Sequence, residues 1–435
     1  MKSSIYWRDT EPVLPGPQLR HDVHCDVCII GGGYTGLWAA YFLKQAQPDI
    51  DIHVLEADYA GAGASGHNDG FITPTIGHSL HNVVRRFGPE RAGEAYAAVG
   101  QSIMDLSRFC RTHKVDAELE RSGFYLVSRE SQSARLRKNL DLAERVGSRA
   151  LPRILLGADA RDVIGSEMID AALPSGGGLV NPHKLARGLA RVVCEQGVVI
   201  HERTSASAME RSAAVYRVKT ERATVHARKV LLATNAYQHM FRPFRSGLLP
   251  VWSYAFVTEP LSDRQLERVH WPGREGFVED QNFILFGRLT ADNRILFGGG
   301  RACYYYGRSM NGRHLANRRV QAELVHEFRQ FFPMWDDVNI EYGYGGCIAV
   351  TRDFVPHVGV LPNGVCYAYG YCGNGIAAAH TVGKALRDLI LDRTSEFTRL
   401  PFVNRKEKGF PGEPLAWAGA RAYSLMLRAQ DRYQK

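Results

Sequence analysis

The sequence predicts the α/β fold class, with at least one domain built from separate segments of the chain. Three observations support this prediction. A glycine-rich turn joins a strand to a helix at residues 27–43, and a second glycine-rich helix start occurs at residues 370–376. Between them, residues 245–340 are rich in strand-like and aromatic segments. A chain of 435 residues is also too long for one compact core, so we expect two domains or a discontinuous pair.

The first glycine-rich turn has the G-x-G-x-x-G spacing. A short apolar run at residues 27–30, typical of a buried parallel strand, precedes it. Its glycines permit a tight turn, close approach of a pyrophosphate and close packing of helix on strand; they are Gly31, Gly33 and Gly36. A second apolar strand, at residues 50–55, is followed by Glu56, an acid placed to accept both hydroxyls of an adenosine ribose. The pattern predicts dinucleotide binding and leaves NAD and FAD open.

Composition and charge narrow the class of protein. Hydrophobic residues make up 45% and charged residues 23% of the chain, which is ordinary for a globular protein. No window approaches the ~18 uninterrupted apolar residues of a membrane span, and no secretory signal is recognisable, so the expected location is the cytoplasm. The net charge of +9 comes from dispersed basic residues, so no nucleic-acid partner is expected. The eight cysteines and 16 histidines show no metal-ligand spacing, so no metal is expected.

Later segments return to α/β patterning. Asn181 is predicted to cap a helix over residues 182–196, with proline in its first turn. A strand over residues 229–236 reaches a small-residue turn, and the stretch 370–375 opens a helix over residues 376–391. Free N–H groups and the helix dipole favour negative charge at such a start. The two glycine-rich starts therefore suit one long ligand held at both ends.

With these motifs placed, the chain resembles the D-amino-acid oxidase and glycine oxidase superfamily of FAD-dependent oxidoreductases. Within it, the chain most resembles the γ-glutamylputrescine oxidoreductase branch. The segments that carry the resemblance keep the family's order, and they are residues 27–36, 54–57, 63–66, 229–236, 351–359 and 370–375. The branch's usual Gly-Ala-Ser-Gly-Arg-Asn-Gly-Gly is altered here, because His67 replaces arginine and Asp69 replaces glycine. The resemblance implies FAD as the cofactor.

The resemblance also implies the domain organisation: a discontinuous Rossmann-like FAD-binding domain beside an antiparallel-sheet substrate domain of the α+β type. The FAD-binding domain is expected to comprise residues 22–85, 150–240 and 341–392. The substrate or cap domain is expected to comprise residues 86–149 and 241–340, and residues 393–435 to form a tail with a closing helix. The candidate cofactor-binding residues are Gly31, Gly33, Tyr34, Thr35, Gly36, Glu56, Ala57, Gly63, Ala64, Ser65, His67, Asn68, Thr234, Asn235, Gly346, Cys347, Gly373, Asn374, Gly375 and Ile376.

Two of these residues, His67 and Cys347, are candidates for covalent attachment of the flavin. The resemblance matches His67 to the histidine that carries flavin in the dimethylglycine and sarcosine dehydrogenases, and a neutral imidazole can attack the flavin 8-methyl carbon. The alternative, which we favour, is a histidine that only hydrogen-bonds the pyrophosphate or its own loop. Some family members attach FAD through a cysteine near Cys347, but here the thiol is displaced by about one residue, which reverses a side chain on a strand. We therefore expect an unlinked thiol beside the flavin.

For the activity, the resemblance implies oxidation of a primary or secondary amine to an imine by hydride transfer to flavin N5. Hydrolysis then gives an aldehyde and an amine, and oxygen or another acceptor reoxidises the flavin. The candidate substrate-site residues are Trp252, Tyr254, Arg288 and Arg352.

Two alternatives stay open. One is oxidation of an anionic amine, an aminophosphonate or an amino acid, whose acid group Arg288 and Arg352 could hold; residues 35–38 and the region of residues 47–48 also resemble a clade of aminophosphonate oxidoreductases. The other is a flavin-binding subunit without independent turnover.

Overall fold

Two large β-sheets and the helices packed on them make up the fold. The computed structural model describes residues 1–14, 16–130, 133–148, 151–212, 214–406 and 408–433. The strands are β1 (Val23–Ile30), β2 (Ile52–Leu55), β3 (Phe71–Ile72), β4 (Phe124–Ser128), β5 (Leu155–Leu156), β6 (Ala171–Ser175), β7 (Gly178–Leu179), β8 (Val199–His201), β9 (Ala208–Ser212), β10 (Val215–Lys219), β11 (Thr224–Leu232), β12 (Leu248–Thr258), β13 (Gly276–Glu279), β14 (Leu285–Leu289), β15 (Ile295–Tyr304), β16 (Ile340–Thr351), β17 (His357–Val360) and β18 (Cys366–Tyr369). The α-helices are α1 (Tyr6–Asp9), α2 (Tyr34–Ala46), α3 (Ala64–His67), α4 (Leu80–Thr112), α5 (Ala134–Arg145), α6 (Ala158–Arg161), α7 (Pro182–Glu195), α8 (Asp263–Leu266), α9 (Arg318–Phe331), α10 (Ile376–Ile390) and α11 (Leu415–Tyr433).

The first large sheet has a parallel centre. Strands β18, β11, β1, β2 and β8 lie in that order and run parallel, while β17 and the β9–β10 hairpin add antiparallel strands. In β1, Ile30 pairs with Leu232 on one side and with Leu55 on the other. The carboxyl ends of β11, β1 and β2 therefore meet at one edge, where open α/β sheets bind their ligands.

Helices α2 and α10 cover this sheet and approach each other closely. Trp38 of α2 is fully buried in the core that the two helices share. Gly383 of α10 permits the contact, because a Cβ added there would lie 2.7 Å from the Cβ of Trp38. The packing brings the N-termini of both helices to the ligand-binding edge of the sheet.

The second large sheet is antiparallel except for one pair. Its strand order is β16-β12-β15-β14-β13-β4-β6-β5, and only β13 and β4 run parallel among the described pairings. Aromatic side chains of the sheet and of α9 fill its core, namely Phe256, Phe277, Phe297 and Phe328. The α/β class, with a parallel and an antiparallel sheet, is therefore confirmed.

The domain boundaries stay predictions, but three strands belong to a different sheet from the one that their predicted domain implies. β5, β6 and most of β16 come from segments assigned to the FAD-binding domain, and all three pair within the antiparallel sheet. The pairing of β16 along the whole of β12 explains its placement, since it satisfies the backbone groups of both strands. Among the described helices, none is long and apolar enough to cross a bilayer.

Candidate active site

A cavity of about 2770 Å³ is lined by residues from both large sheets and from α11. Pockets for drug-sized ligands are typically about 300–1,000 Å³. The cavity is therefore large enough for an extended cofactor together with a substrate. All of the predicted cofactor-site residues line it except Gly36. Of the predicted substrate-site residues, Trp252, Tyr254 and Arg352 line it.

The turn after β1 requires glycine at two positions. Gly31 has φ +112°, and a Cβ added there would lie 2.6 Å from the carbonyl oxygen of Ala233. A Cβ added to Gly36 would lie 2.1 Å from the carbonyl oxygen of Gly31. Helix α2 then begins after Gly33, which has no side chain to cap it. Its first N–H groups and its dipole form an anion site at the cavity wall.

The loop around α3 packs against this helix start. The Ser65 hydroxyl accepts a hydrogen bond from the backbone N–H of Tyr34 at 2.8 Å. The side chain of Asn68 donates to the carbonyl oxygens of Ala64 and Ser65, at 3.0 and 2.8 Å. A Cβ added to Gly63 would meet no atom within 4 Å, so the loop presents open backbone to the cavity there.

Glu56, with Ala57 beside it, lines the cavity at the end of β2. Its carboxylate accepts hydrogen bonds from the backbone N–H groups of Gly32 at 2.8 Å and of Asp58 at 3.0 Å. Burial raises the pKa of Glu56, and these two N–H groups oppose the rise. Each carboxylate oxygen can accept a further hydrogen bond, so Glu56 could hold a ribose diol.

The second glycine-rich stretch opens α10 without a side-chain cap. Gly375 is the N-cap residue before Ile376, and Gly373, with φ +101°, has open space around it. The Asn374 amide donates to the carbonyl oxygen of Gly77 at 2.7 Å, which ties the turn to the segment before α4. The free N–H groups of this helix start could contact a carbonyl or anionic group.

Hydrogen bonds connect the two glycine-rich segments. The hydroxyls of Thr35 and Tyr371 lie 2.7 Å apart in a buried contact. The Asn235 side chain accepts a hydrogen bond from the backbone N–H of Gly370 at 3.0 Å. Thr234 donates to the side chain of Gln238 at 2.7 Å, within the turn that follows β11. The starts of α2 and α10 thus face one cavity, an arrangement that fits a long ligand held at both ends, such as FAD.

His67 lines the cavity at the end of α3. Burial lowers the pKa of His67 to about 3, and the nearby His183 and Arg8 lower it further. Its Nε2 atom lies 3.5 Å from the Tyr59 hydroxyl. The imidazole is therefore neutral at pH 7, a state compatible both with a nucleophile and with a hydrogen-bonding role, so the covalent link stays untested.

Cys347 and Gly346 lie on β16 where this strand approaches the α3 loop. A Cβ added to Gly346 would lie 3.9 Å from the carbonyl oxygen of His67. Burial raises the pKa of the Cys347 thiol to about 12, and its Sγ atom lies 3.3 Å from the Met310 Sδ atom. A protonated thiol is a weak nucleophile, which agrees with the expectation of an unlinked cysteine.

Aromatic side chains of the antiparallel sheet form one wall of the cavity. Trp252 donates its indole N–H to the carbonyl oxygen of Ser309 at 3.2 Å. The hydroxyls of Tyr254 and Tyr305 lie 2.8 Å apart, and the Tyr305 ring stacks on His314 with centroids 3.6 Å apart. These contacts hold the rings in fixed orientations, so the wall is preorganised.

The two candidate arginines lie apart from each other. Arg288 is 1% exposed and is not among the described residues that line the cavity. It donates to the carbonyl oxygens of Gly70 and Val180, at 3.2 and 2.9 Å, and its guanidinium lies over the Trp7 ring. Arg352 is exposed at the cavity rim and donates to a backbone carbonyl at 3.4 Å. The two side chains therefore do not form a shared acid-binding site.

Sequence reasoning did not single out Tyr344 or His314 as individual site residues. Tyr344 lies on β16, where side chains alternate between the two faces, so a strand assignment at residues 340–351 would have placed its side chain on the same face as that of Tyr342. Helix α11 was predicted as a closing helix, but its contribution to the cavity through Trp417 and Arg421 has no local sequence signal.

Comparison with known proteins agrees with this geometry. Residues 26–389 match the family model described as "DAO: FAD dependent oxidoreductase". The chain is 29% identical to γ-glutamylputrescine oxidoreductase of Escherichia coli strain K12 over 98% of both chains, and 28% identical to the probable oxidoreductase OrdL of Haemophilus influenzae over 89% of this chain and 88% of that one. The crystal structure of glycine oxidase from Geobacillus kaustophilus has a similar fold, with a TM-score of 0.74 at 18% identity, covering 89% of this chain and all of that one. The chain therefore belongs to the DAO family of FAD-dependent oxidoreductases, with FAD as its cofactor.

Proposed function

We propose that this enzyme oxidises the C–N bond of a primary or secondary amine to an imine, which water hydrolyses to an aldehyde and an amine. The observation that carries the proposal is the preorganised aromatic wall of Trp252, Tyr254 and Tyr305 in the same cavity as the two helix starts. Similarity over 98% of the chain to γ-glutamylputrescine oxidoreductase, an enzyme named for an amine substrate, supports it.

We further propose which residues hold FAD. The start of α2 at Gly33 would face the pyrophosphate, Glu56 would accept the ribose hydroxyls, and the α3 loop would lie near the isoalloxazine. When bound, FAD supplies the hydride acceptor for the reaction. The start of α10 at Ile376 would hold the pyrimidine end of the flavin, where its dipole would stabilise negative charge.

The aromatic wall also affects the protonation state of the substrate amine. An amine must be neutral before its carbon releases a hydride, because the nitrogen lone pair stabilises the forming imine. Burial against aromatic rings disfavours the ammonium form and so lowers the pKa of the amine. The fixed ring positions also restrict how the substrate carbon can approach the cofactor.

Two other functions remain as alternatives. Oxidation of an anionic amine would need a cationic site for the acid group, and the positions of Arg288 and Arg352 do not support one formed by that pair. In a flavin-binding subunit without turnover, FAD would be bound but no amine would reduce it. The electron acceptor, the absence of a nucleic-acid partner and the cytoplasmic location stay predictions.

The test is an anaerobic screen of the purified, flavin-containing protein. We expect the flavin absorbance to bleach on mixing with at least one primary or secondary amine. Faster bleaching with amino acids or aminophosphonates than with any uncharged or cationic amine would favour the anionic alternative. If no amine, amino acid or aminophosphonate bleached the bound flavin, the result would contradict the proposed function.

A further inference from the structure

Asp69 is a carboxylate in an unusual position within the cavity. The residue lies between α3 and β3 and lines the cavity, next to the loop that contains His67. Among the described residues, no side chain or backbone group forms a hydrogen bond or a close ion pair with it. A partly buried carboxylate normally has such partners, because burial without them costs free energy. Its acceptors are therefore available to a ligand bound in the cavity.

A second polar group of the same cavity wall is the hydroxyl of Tyr344. Tyr344 on β16 is 2% exposed, lines the same cavity, and its hydroxyl has no hydrogen-bond partner among the described residues. Burial raises the pKa of this hydroxyl, and the negative charge of Asp69 raises it further. A carboxylate can only accept hydrogen bonds, whereas a hydroxyl can donate or accept one. The pair offers acceptors that match the donors of an ammonium group.

Arg288 accounts for the charge of Asp69 but does not use its hydrogen-bonding capacity. Arg288 lies behind the loop, where its guanidinium donates to the carbonyl oxygens of Gly70 and Val180. It is not within ion-pair distance of Asp69, yet its positive charge favours the ionised carboxylate. Arg288 thus offsets part of the effect of burial on the charge of Asp69.

We propose that Asp69, assisted by Tyr344, binds the ammonium group of the substrate and accepts one proton from it. The inference rests on the proposed amine oxidation and deepens it, because it names the charged group that is recognised. In the step, one N–H bond of the ammonium breaks and one O–H bond forms on Asp69. An ammonium and a carboxylate become a neutral amine and a carboxylic acid, and no electrons are exchanged.

The surroundings make this transfer more favourable than it would be in water. Converting an ion pair into a neutral pair is favoured where both charges are poorly solvated. Burial raises the pKa of Asp69 to about 7, against the opposing effect of Arg288, which makes it a stronger base than an ordinary carboxylate. Arg288 on β14 and Tyr344 on β16 are the titratable groups that act on it from the packed strands.

The test uses tert-butylammonium chloride, which cannot be oxidised because its nitrogen-bearing carbon has no hydrogen. Calorimetric titration of the FAD-loaded enzyme measures its affinity. We expect Asp69→Asn to weaken binding about tenfold or more, which corresponds to about 1.4 kcal/mol, and Tyr344→Phe to weaken it less. The control is Glu210→Gln, which removes the same charge from the exposed strand β9 and should leave the affinity unchanged.

The pH dependence gives a second readout. Wild-type affinity should rise as the pH increases from 6 to 8, because Asp69 ionises with a pKa of about 7. Asp69→Asn should lose this rise. Should Asp69→Asn fail to retain FAD, Asp69→Gly serves instead, since the branch that the chain resembles carries glycine at this position.

Two results would overturn the inference: unchanged affinity in both Asp69 variants, or no binding of tert-butylammonium to the wild type. If amines nevertheless bleach the wild-type flavin, only the inference fails and amine oxidation stands. If tert-butylammonium binds through Asp69 but no amine bleaches the flavin, the inferred ammonium site stands and the proposed oxidation fails.

Discussion

Substitution of Gly36 by alanine tests whether the turn after β1 is the cofactor cradle. The added Cβ would lie 2.1 Å from the carbonyl oxygen of Gly31, and 3.0 Å from a methyl carbon of Ile29. A carbon and an oxygen in ordinary contact are about 3.3 Å apart, so helix and turn must separate by roughly 1 Å. Overpacking of this kind costs about 1–3 kcal/mol. Because the displaced N–H groups are those that would face the pyrophosphate, we expect FAD affinity to fall about 10- to 100-fold.

The assay is fluorescence titration of the deflavinated protein with FAD. Gly100→Ala is the matched control, because Gly100 lies inside α4 and a Cβ there would meet no atom within 4 Å. That control should bind FAD normally and gain about 0.4–1 kcal/mol of stability from its reduced backbone freedom. A Gly36→Ala protein that binds FAD within about twofold of the wild type would refute the assignment of this turn.

Three further predictions follow from buried polar groups. Tyr371→Phe leaves the Thr35 hydroxyl without its partner and should lower the free energy of unfolding by about 1–3 kcal/mol. Adding Thr35→Val should recover part of this loss. An unchanged urea midpoint in the single variant would contradict the prediction. Burial lowers the pKa of His380 to about 3, against about 6.5 in the unfolded chain. The free energy of unfolding should therefore fall as the pH drops below 6.5, by up to about 1.4 kcal/mol per pH unit. The urea midpoint of His380→Asn should fall less than that of the wild type between pH 7 and pH 5. Acid precipitation should release free FAD and leave a colourless pellet; a yellow pellet with a flavin adduct on the His67 peptide would instead establish the covalent link.

Much of the fold could be predicted because its signals are local. The apolar run before Gly31 and the Asn181-Pro182 helix start are each set by neighbouring residues, and both elements form as expected. Sheet membership could not be read in the same way. The strand at residues 340–351 pairs with β12, more than 80 residues earlier, and the two strands are joined by hydrogen bonds between backbone groups that carry no sequence information.

The residues of the site also differ in how far the sequence could predict them. Glycine at positions 31 and 36 follows from backbone geometry that only glycine permits, so spacing alone pointed to the turn. Arg288 was predicted as a substrate-site residue from its charge and its place in the strand-rich region, but its hydrogen bonds to Gly70 and Val180 depend on distant segments of the chain. Such partners are decided by tertiary packing, which one sequence does not specify.

Single-turnover reduction with an isotopically labelled amine tests the central claim most directly. The flavin-containing enzyme is mixed anaerobically with an amine that bleaches it, carrying either hydrogen or deuterium on the carbon next to nitrogen. We expect slower bleaching with deuterium at that carbon, no effect of deuterium elsewhere, and one equivalent of aldehyde per flavin reduced. Bleaching without any aldehyde, or with oxidation at a carbon not bonded to nitrogen, would contradict the proposal that this enzyme oxidises a C–N bond.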